Sequence, residues 1–266
     1  MLAGAVLAAF APGVASAAPA GSPTPPPTPE PAGAAPLAVG SPLLPNLWTM
    51  APEDFRIVQE GQRLRLRVTI ASVNVGVGPV ELKARKKDCD GDGSFENDRT
   101  AFQRVYQDAD GDGAFRRSID TSFSVVRVGC FRFDEHHQHW HFKNFARYEL
   151  SGLSDGQVVA AHEKVGFCLL DSDQPYPGIP GSPTAGFYRS CQPDKPQGLS
   201  AGWSDIYESS LPGQFVDVTN VPDGDYCFSS TVNPARRLVE AEVGDNAETQ
   251  ALRLAGGTVT PLSRGC

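Results

Sequence analysis

Arg63-Leu64-Arg65-Leu66-Arg67-Val68-Thr69-Ile70 alternates apolar and polar residues without a break. That is the period of a strand with one buried face, and it predicts a half-buried strand with its arginines turned to solvent. Ser72-Val73-Asn74-Val75-Gly76-Val77-Gly78-Pro79-Val80-Glu81-Leu82 continues as strand, turn and strand. The same signature returns at Phe123-Ser124-Val125-Val126-Arg127-Val128, at Gln214-Phe215-Val216-Asp217-Val218 and at Tyr226-Cys227-Phe228-Ser229-Ser230-Thr231-Val232, with turn signals such as Pro222-Asp223-Gly224 between. No long segment carries a 3.6-residue apolar period. Many short strands joined by turns predict a mainly β, sandwich-like single domain with long loops.

The N-terminal pattern is different. Residues 1–17 are almost all small or apolar and end in Ala15-Ser16-Ala17, the small-x-small form of a signal-peptidase site, although the basic start of a signal peptide is missing. Pro12 and Gly13 break the apolar run, which is too short for a stable membrane span. Residues 18–42 are dominated by Pro, Ala, Gly, Ser and Thr and read as an extended linker that cannot bury apolar area. Residues 43–266 remain as the domain, long enough for a real core. The chain is expected to be secreted. Its net charge of −8 argues against a nucleic-acid partner and favours cationic substrates or bound cations.

Four of the five histidines fall in Asp134-Glu135-His136-His137-Gln138-His139-Trp140-His141-Phe142. If this stretch is extended, His137, His139 and His141 project from one face while Gln138, Trp140 and Phe142 turn to the other. Three imidazoles on one face make a candidate metal site, with a histidine-rich strand that holds no metal as the plainer alternative. Imidazole suits zinc, copper, nickel or iron, so the ligands alone do not choose the metal.

Two near-copies of one acidic loop lie further upstream. Asp88, Asp90 and Asp92, followed by Gly93, and Asp108, Asp110 and Asp112, followed by Gly113, repeat the first half of a calcium loop. Arg99 and Ile119 stand at the twelfth positions, where an EF-hand needs a bidentate glutamate, so these are not EF-hands. Calcium would have to be completed by Glu96, Asp98 or Asp120, or shared between the loops; the alternative is a pair of solvated acidic turns.

Six cysteines in an exported chain without a Cys-x-x-Cys pair predict three disulfides rather than a zinc site. Cys89 with Cys130, Cys168 with Cys191 and Cys227 with Cys266 is the expected pairing, but spacing alone does not select it from the 15 that six cysteines allow.

Taken in order, the histidine stretch, His162-Glu163-Lys164-Val165-Gly166-Phe167-Cys168, Gly198-Leu199-Ser200-Ala201-Gly202-Trp203-Ser204-Asp205-Ile206-Tyr207 and Val232-Asn233-Pro234 resemble the catalytic domain of the lysyl oxidase family over residues 120–266. The resemblance implies Cu(II) on His137, His139 and His141. It also implies a lysine tyrosylquinone cofactor built from Lys164 and Tyr207. Cys168 and Cys191 match family half-cystines whose usual partners are absent, which is the reason for pairing them with each other. His136 stands where animal members carry a cysteine, and the acidic loops and proline-rich tether also depart from the vertebrate pattern, which suggests a bacterial secreted member.

The implied reaction is oxidative deamination. A primary amine, free or on a lysine-containing protein, condenses with the quinone, loses a proton to a general base and leaves as an aldehyde, and molecular oxygen then restores the cofactor with release of hydrogen peroxide and ammonia. Asp205, two residues before Tyr207 and on the same face if the stretch is extended, is the candidate base. His162 is a candidate partner of the site or of the substrate. Two other readings stay open: a zinc hydrolase using the three imidazoles and a water, and an extracellular β-domain that binds copper without catalysis.

Overall fold

A computed structural model describes residues 37–135, 138–163 and 166–266, of which the side chain of Glu163 is left aside. The expected signal peptide, most of the expected linker, His136, His137, Lys164 and Val165 lie outside the described residues. Sixteen strands and no helix make up the regular structure among them. They are β1 (Pro42–Leu43), β2 (Leu47–Thr49), β3 (Glu53–Glu60), β4 (Arg63–Asn74), β5 (Val80–Arg85), β6 (Asp98–Gln107), β7 (Phe123–Asp134) and β8 (His139–Phe142) in the first half. The second half holds β9 (Ala146–Gly152), β10 (Val158–Glu163), β11 (Gln197–Leu199), β12 (Ser204–Tyr207), β13 (Phe215–Asp217), β14 (Gly224–Val232), β15 (Ala247–Ala255) and β16 (Thr258–Pro261). The mainly β expectation holds. No helix is long and apolar enough to cross a membrane.

Every pairing is antiparallel, and the strands form three sheets. One runs β11-β5-β6-β7-β8, with β1 on β6 beyond the end of β5; a second runs β10-β9-β14-β15-β16. In the third, β4 is paired along both edges, by β2 and β3 on one side and by β12 and β13 on the other. The alternation of β4 sets its faces: Leu66, Val68 and Ile70 are fully buried. Arg63 is exposed as expected, but the other two arginines depart from expectation. Arg65 and Arg67 are mostly covered, because Glu60 lies between their guanidinium groups at 2.9 and 2.5 Å and Arg65 stacks on Phe215. Their long apolar stems and a shared counter-charge make partial burial cheaper than exposure.

The first sheet curls. Gln197 of β11 donates to the Trp140 carbonyl of β8 at 2.6 Å, so the two ends of the sheet approach one another. Between them a row of rings runs Phe142, Phe145, Phe167, Tyr207, with successive centroids 6.5, 5.1 and 3.9 Å apart, all edge-on. Full burial of each phenylalanine in the row contributes about 2–3 kcal/mol. The chain joins the first sheet by its backbone before residue 43: Gly40 N donates to the Asp108 carbonyl and Pro42 pairs with Gln107, so the last residues of the expected linker are already fastened to the domain.

A long excursion between β10 and β11 is held by buried carboxylates. Asp171 accepts from the backbone of Phe187 (2.7 Å), Tyr188 (3.1 Å) and Ser200 (2.8 Å) and from the Ser200 hydroxyl. Glu81, 1 % exposed, receives Arg104, Arg117, Tyr106 and Tyr188, each within 2.9 Å. The three bridges are Cys89–Cys130, Cys168–Cys191 and Cys227–Cys266, the pairing expected.

Burial pushes the Glu81 carboxyl up, but the Arg117 charge and the hydrogen bonds from Arg117, Tyr106 and Tyr188 together hold it below the ordinary glutamate value. Its stabilising contribution is therefore complete above the unfolded glutamate pKa and is lost as pH falls through the depressed folded one. Glu81→Gln should cost about 2–3 kcal/mol at neutral pH, a figure discounted because the two guanidinium groups are about a third exposed. Urea unfolding at neutral and acid pH checks this: the variant's deficit should shrink as the pH drops.

Candidate metal and redox site

β7 and β8 form a hairpin, with His141 opposite Arg132 and His139 opposite Asp134. Within β8 the expected alternation is present: Trp140 and Phe142 are buried while His139 and His141 face a cleft. It does not extend back to Gln138, which lies in the hairpin turn at φ +56° with its side-chain amide donating to the Glu135 carbonyl at 2.6 Å. Gln138 is thus exposed rather than facing the sheet, and the short strand begins at His139. Glutamine has no special preference for the left-handed region, so no local signal marked that turn.

The Nε2 atoms of His139 and His141 are 2.8 Å apart. Two imidazole nitrogens each about 2.0 Å from one ion and at right angles to each other about it are separated by about 2.8 Å, so the pair fits adjacent positions on a single metal. The other ring nitrogen of His141 faces the Asp134 carboxylate at 3.7 Å. That arrangement leaves Nε2 for the metal, as a carboxylate behind a ligating histidine does elsewhere. Asp134 was given no role by sequence reasoning, since only the pairing of β7 with β8 places it at the histidines.

Phe142 exchanges backbone hydrogen bonds with Phe167, at 2.7 Å to its carbonyl and 3.0 Å from its amide. This bridge brings residues 166–168 against the histidine strand. Gly166 must be glycine there, since a Cβ would stand 2.6 Å from the Cβ of His141. One residue beyond the bridge, the Cys168 carbonyl accepts the Tyr207 hydroxyl at 2.9 Å. Tyr207 itself comes from β12, placed opposite Ile70 of β4, and Asp205 sits opposite Ser72 on the same face. The Asp205 carboxylate is 3 % exposed and accepts the Ser172 hydroxyl at 3.1 Å. Gln214 ties the strand down further, donating to the Tyr207 carbonyl at 3.0 Å while accepting from the buried Tyr148 hydroxyl.

One cleft of about 540 Å³ collects these groups. His139, His141, Asp134, His162, Gly166, Asp205 and Tyr207 line it, with the Cys168–Cys191 bridge. Leu170, Ile206, Leu211 and Pro212 supply apolar wall. His162 is stacked on Phe215 with centroids 4.9 Å apart. The structure therefore brings together His139, His141, Asp205 and Tyr207. His137 and Lys164 lie outside the described residues.

The acidic loops lie elsewhere, and none of their carboxylates lines the cleft. They repeat one another in detail: Asp88 accepts Gly91 and Gly93 at 2.7 and 2.8 Å, and Asp108 accepts Gly111 and Gly113 at the same distances. They gather as two groups rather than around one shared ion, Asp98 joining Asp88, Asp90 and Asp92. In the second group Arg116 pairs with both Asp110 and Asp112 and supplies the counter-charge assigned by sequence to a cation. Asp120 accepts the amides of Ala109 and Arg116 instead of joining that group.

The fold and cleft define a disulfide-stapled β-domain with a pair of imidazoles near a half-buried, oriented tyrosine. Residues 122–263 match the profile of the lysyl oxidase family. The chain belongs to that family. It is 32% identical over 123 residues to protein-lysine 6-oxidase of Gallus gallus, a match covering 45% of this chain and 27% of that protein, and 32% identical over 123 residues to protein-lysine 6-oxidase of Sus scrofa, covering 45% of each. Lysyl oxidase homolog 2 of Homo sapiens is 32% identical over 111 residues, 41% of this chain and 13% of that protein. The chain spans less than half the length of these relatives.

Burial raises the Tyr207 hydroxyl well above an ordinary tyrosine pKa, and the adjacent Asp205 charge adds to it. Asp205→Asn should bring its ionisation down. Alkaline titration of tyrosinate absorbance, with Tyr207→Phe subtracted, reads the shift; an unchanged midpoint would separate the two groups.

Proposed function

We propose that the chain is a copper-dependent amine oxidase that deaminates primary amines, among them lysine side chains of a protein substrate, to aldehydes with release of hydrogen peroxide and ammonia. His139 and His141, with His137, would hold the Cu(II), and Lys164 and Tyr207 would form the lysine tyrosylquinone. The observation that carries this reading is the convergence of His139, His141, Asp205 and Tyr207 in one cleft whose lining also includes His162 and Gly166, on either side of Lys164 in the sequence. When bound, copper with oxygen supplies the oxidation that converts the tyrosine ring, and the resulting quinone supplies the carbonyl that accepts electrons from the amine.

The chain's own residues do the rest. Phe167, edge-on at 3.9 Å, and the Cys168 carbonyl hold the Tyr207 ring in one orientation. Asp205 is the base that takes the proton from the carbon beside the amine, and the Ser172 hydroxyl donates to one of its oxygens. Leu170, Ile206, Leu211 and Pro212 would receive an apolar stem, and the carboxylates of Asp134 and Asp205 favour a cationic substrate. A zinc hydrolase would use the same imidazoles and leave the clamped Tyr207 without a task. Three disulfides support an extracellular setting.

Calcium enters only at the first acidic loop, as a structural ion on Asp88, Asp90, Asp92 and Asp98, whose oxygens lie within 4.8 Å of one another. A calcium-dependent rise in Tm that Asp90→Asn removes is the expected result.

The test of the oxidase reading is phenylhydrazine labelling of chain matured with copper. A coloured adduct on a peptide joining Lys164 to Tyr207 is expected, and Lys164→Ala, Tyr207→Phe and His139→Ala should each abolish both label and turnover. A wild-type chain that holds copper yet takes no label would end the reading.

A further inference from the structure

The cleft contains a second set of metal donors, at present locked. The sulfurs of Cys168 and Cys191 and a ring nitrogen of His139 all lie within 4.8 Å of one another, and all three residues line the cleft. Neither of the other two bridges reaches it. Joined as a disulfide the sulfurs are poor ligands, because the thiolate is the form that binds metal.

We propose that the Cys168–Cys191 bridge is a redox latch. Once it is reduced, the Cys168 and Cys191 thiolates and His139 form a sulfur-rich site for Zn(II) or Cu(I), and metal bound there withdraws His139 from the imidazole set. The opening step uses a dithiol reductant. One of its thiolates attacks a bridge sulfur and expels the other cysteine as thiolate; its second thiolate then closes on the first, so that two cysteine thiols and one reductant disulfide are produced for one bridge consumed. Metal binding then displaces the two thiol protons to solvent.

Geometry and chemistry both support this exchange. The Cα atoms of the pair are 5.6 Å apart. Rotation about the Cα–Cβ bonds is enough to carry the freed sulfurs to about 3.7 Å apart, the spacing of two thiolates on one tetrahedral ion, without opening the backbone. Two thiolates and one imidazole, with a fourth position left to solvent, select zinc or cuprous copper over the cupric ion preferred by imidazoles alone. The latch also touches both halves of the cleft through its backbone: Trp140 of β8 donates to the Cys191 carbonyl at 3.3 Å, and Tyr207 of β12 to the Cys168 carbonyl at 2.9 Å. The inference does not depend on the oxidase reading, since it needs only His139 and the two cysteines.

Co(II) added to copper-free chain provides the test, because thiolate ligation gives a sulfur-to-cobalt charge-transfer band whatever the enzyme's activity. Reduced wild type should bind one Co(II) per chain with that band and release it to Zn(II). The oxidised chain and reduced Cys168→Ser/Cys191→Ser should lack it, reduced Cys89→Ser/Cys130→Ser should keep it, and His139→Ala should weaken binding by at least about tenfold. A band of equal strength in the Cys168→Ser/Cys191→Ser chain, its absence from reduced wild type, or loss of sheet circular dichroism on reduction would each overturn the proposal, the last because a latch requires a folded reduced state.

Discussion

Among the described residues β4 is the strand that all the others of the third sheet share, and the cleft depends on its being paired along both edges. Its residues 65–67 face β13 and its residues 70–73 face β12, while β3 and β2 take the opposite edge. A central strand of this kind cannot slip by one residue without turning Leu66, Val68 and Ile70 out of the core. Tyr207 and Asp205 inherit that register, opposite Ile70 and Ser72. The position of a redox-capable phenol is therefore set by the alternation of a strand over 130 residues earlier, and the row of rings from Phe142 to Tyr207 carries the same precision across to the histidines.

Much of the fold was legible because strands write themselves in a period of two. The run beginning at Arg63, the strands at 123–128 and 226–232 and the all-β class follow from that period. What periodicity omits is the pairing between distant strands. Nothing local says that Gln197 will reach Trp140 and curl the first sheet, or that Asp171 will gather the amides of Phe187, Tyr188 and Ser200. Arg65 and Arg67 misled for a related reason: their neighbours Glu60 and Phe215 arrive from β3 and from β13, so solvent was the only partner visible from β4 alone.

The cleft divides along similar lines. Alternation alone puts His139 and His141 on one face and Trp140 and Phe142 on the other, and it stops being a guide at Gln138, where the chain takes a left-handed turn. Asp205 and Tyr207, two apart on β12, share a face as extended geometry requires. Asp134 behind His141, and Gly166 pressed on its Cβ, were not legible as site residues, because both roles are created by contacts between segments. The acidic repeats are the reverse case. Their spacing is conspicuous in sequence, yet in the second copy an arginine six residues downstream of Asp110 already answers the charge.

The cysteines pair in the order in which they occur, first with second, third with fourth and fifth with sixth, and no loop encloses or crosses another. A chain delivered N-terminus first presents each cysteine with its native partner before the next pair emerges. Oxidation in step with delivery thus yields the native set without reshuffling, whereas a chain oxidised after delivery in full must find one arrangement among 15. The direction in which this protein emerges is in that sense part of the information that folds it.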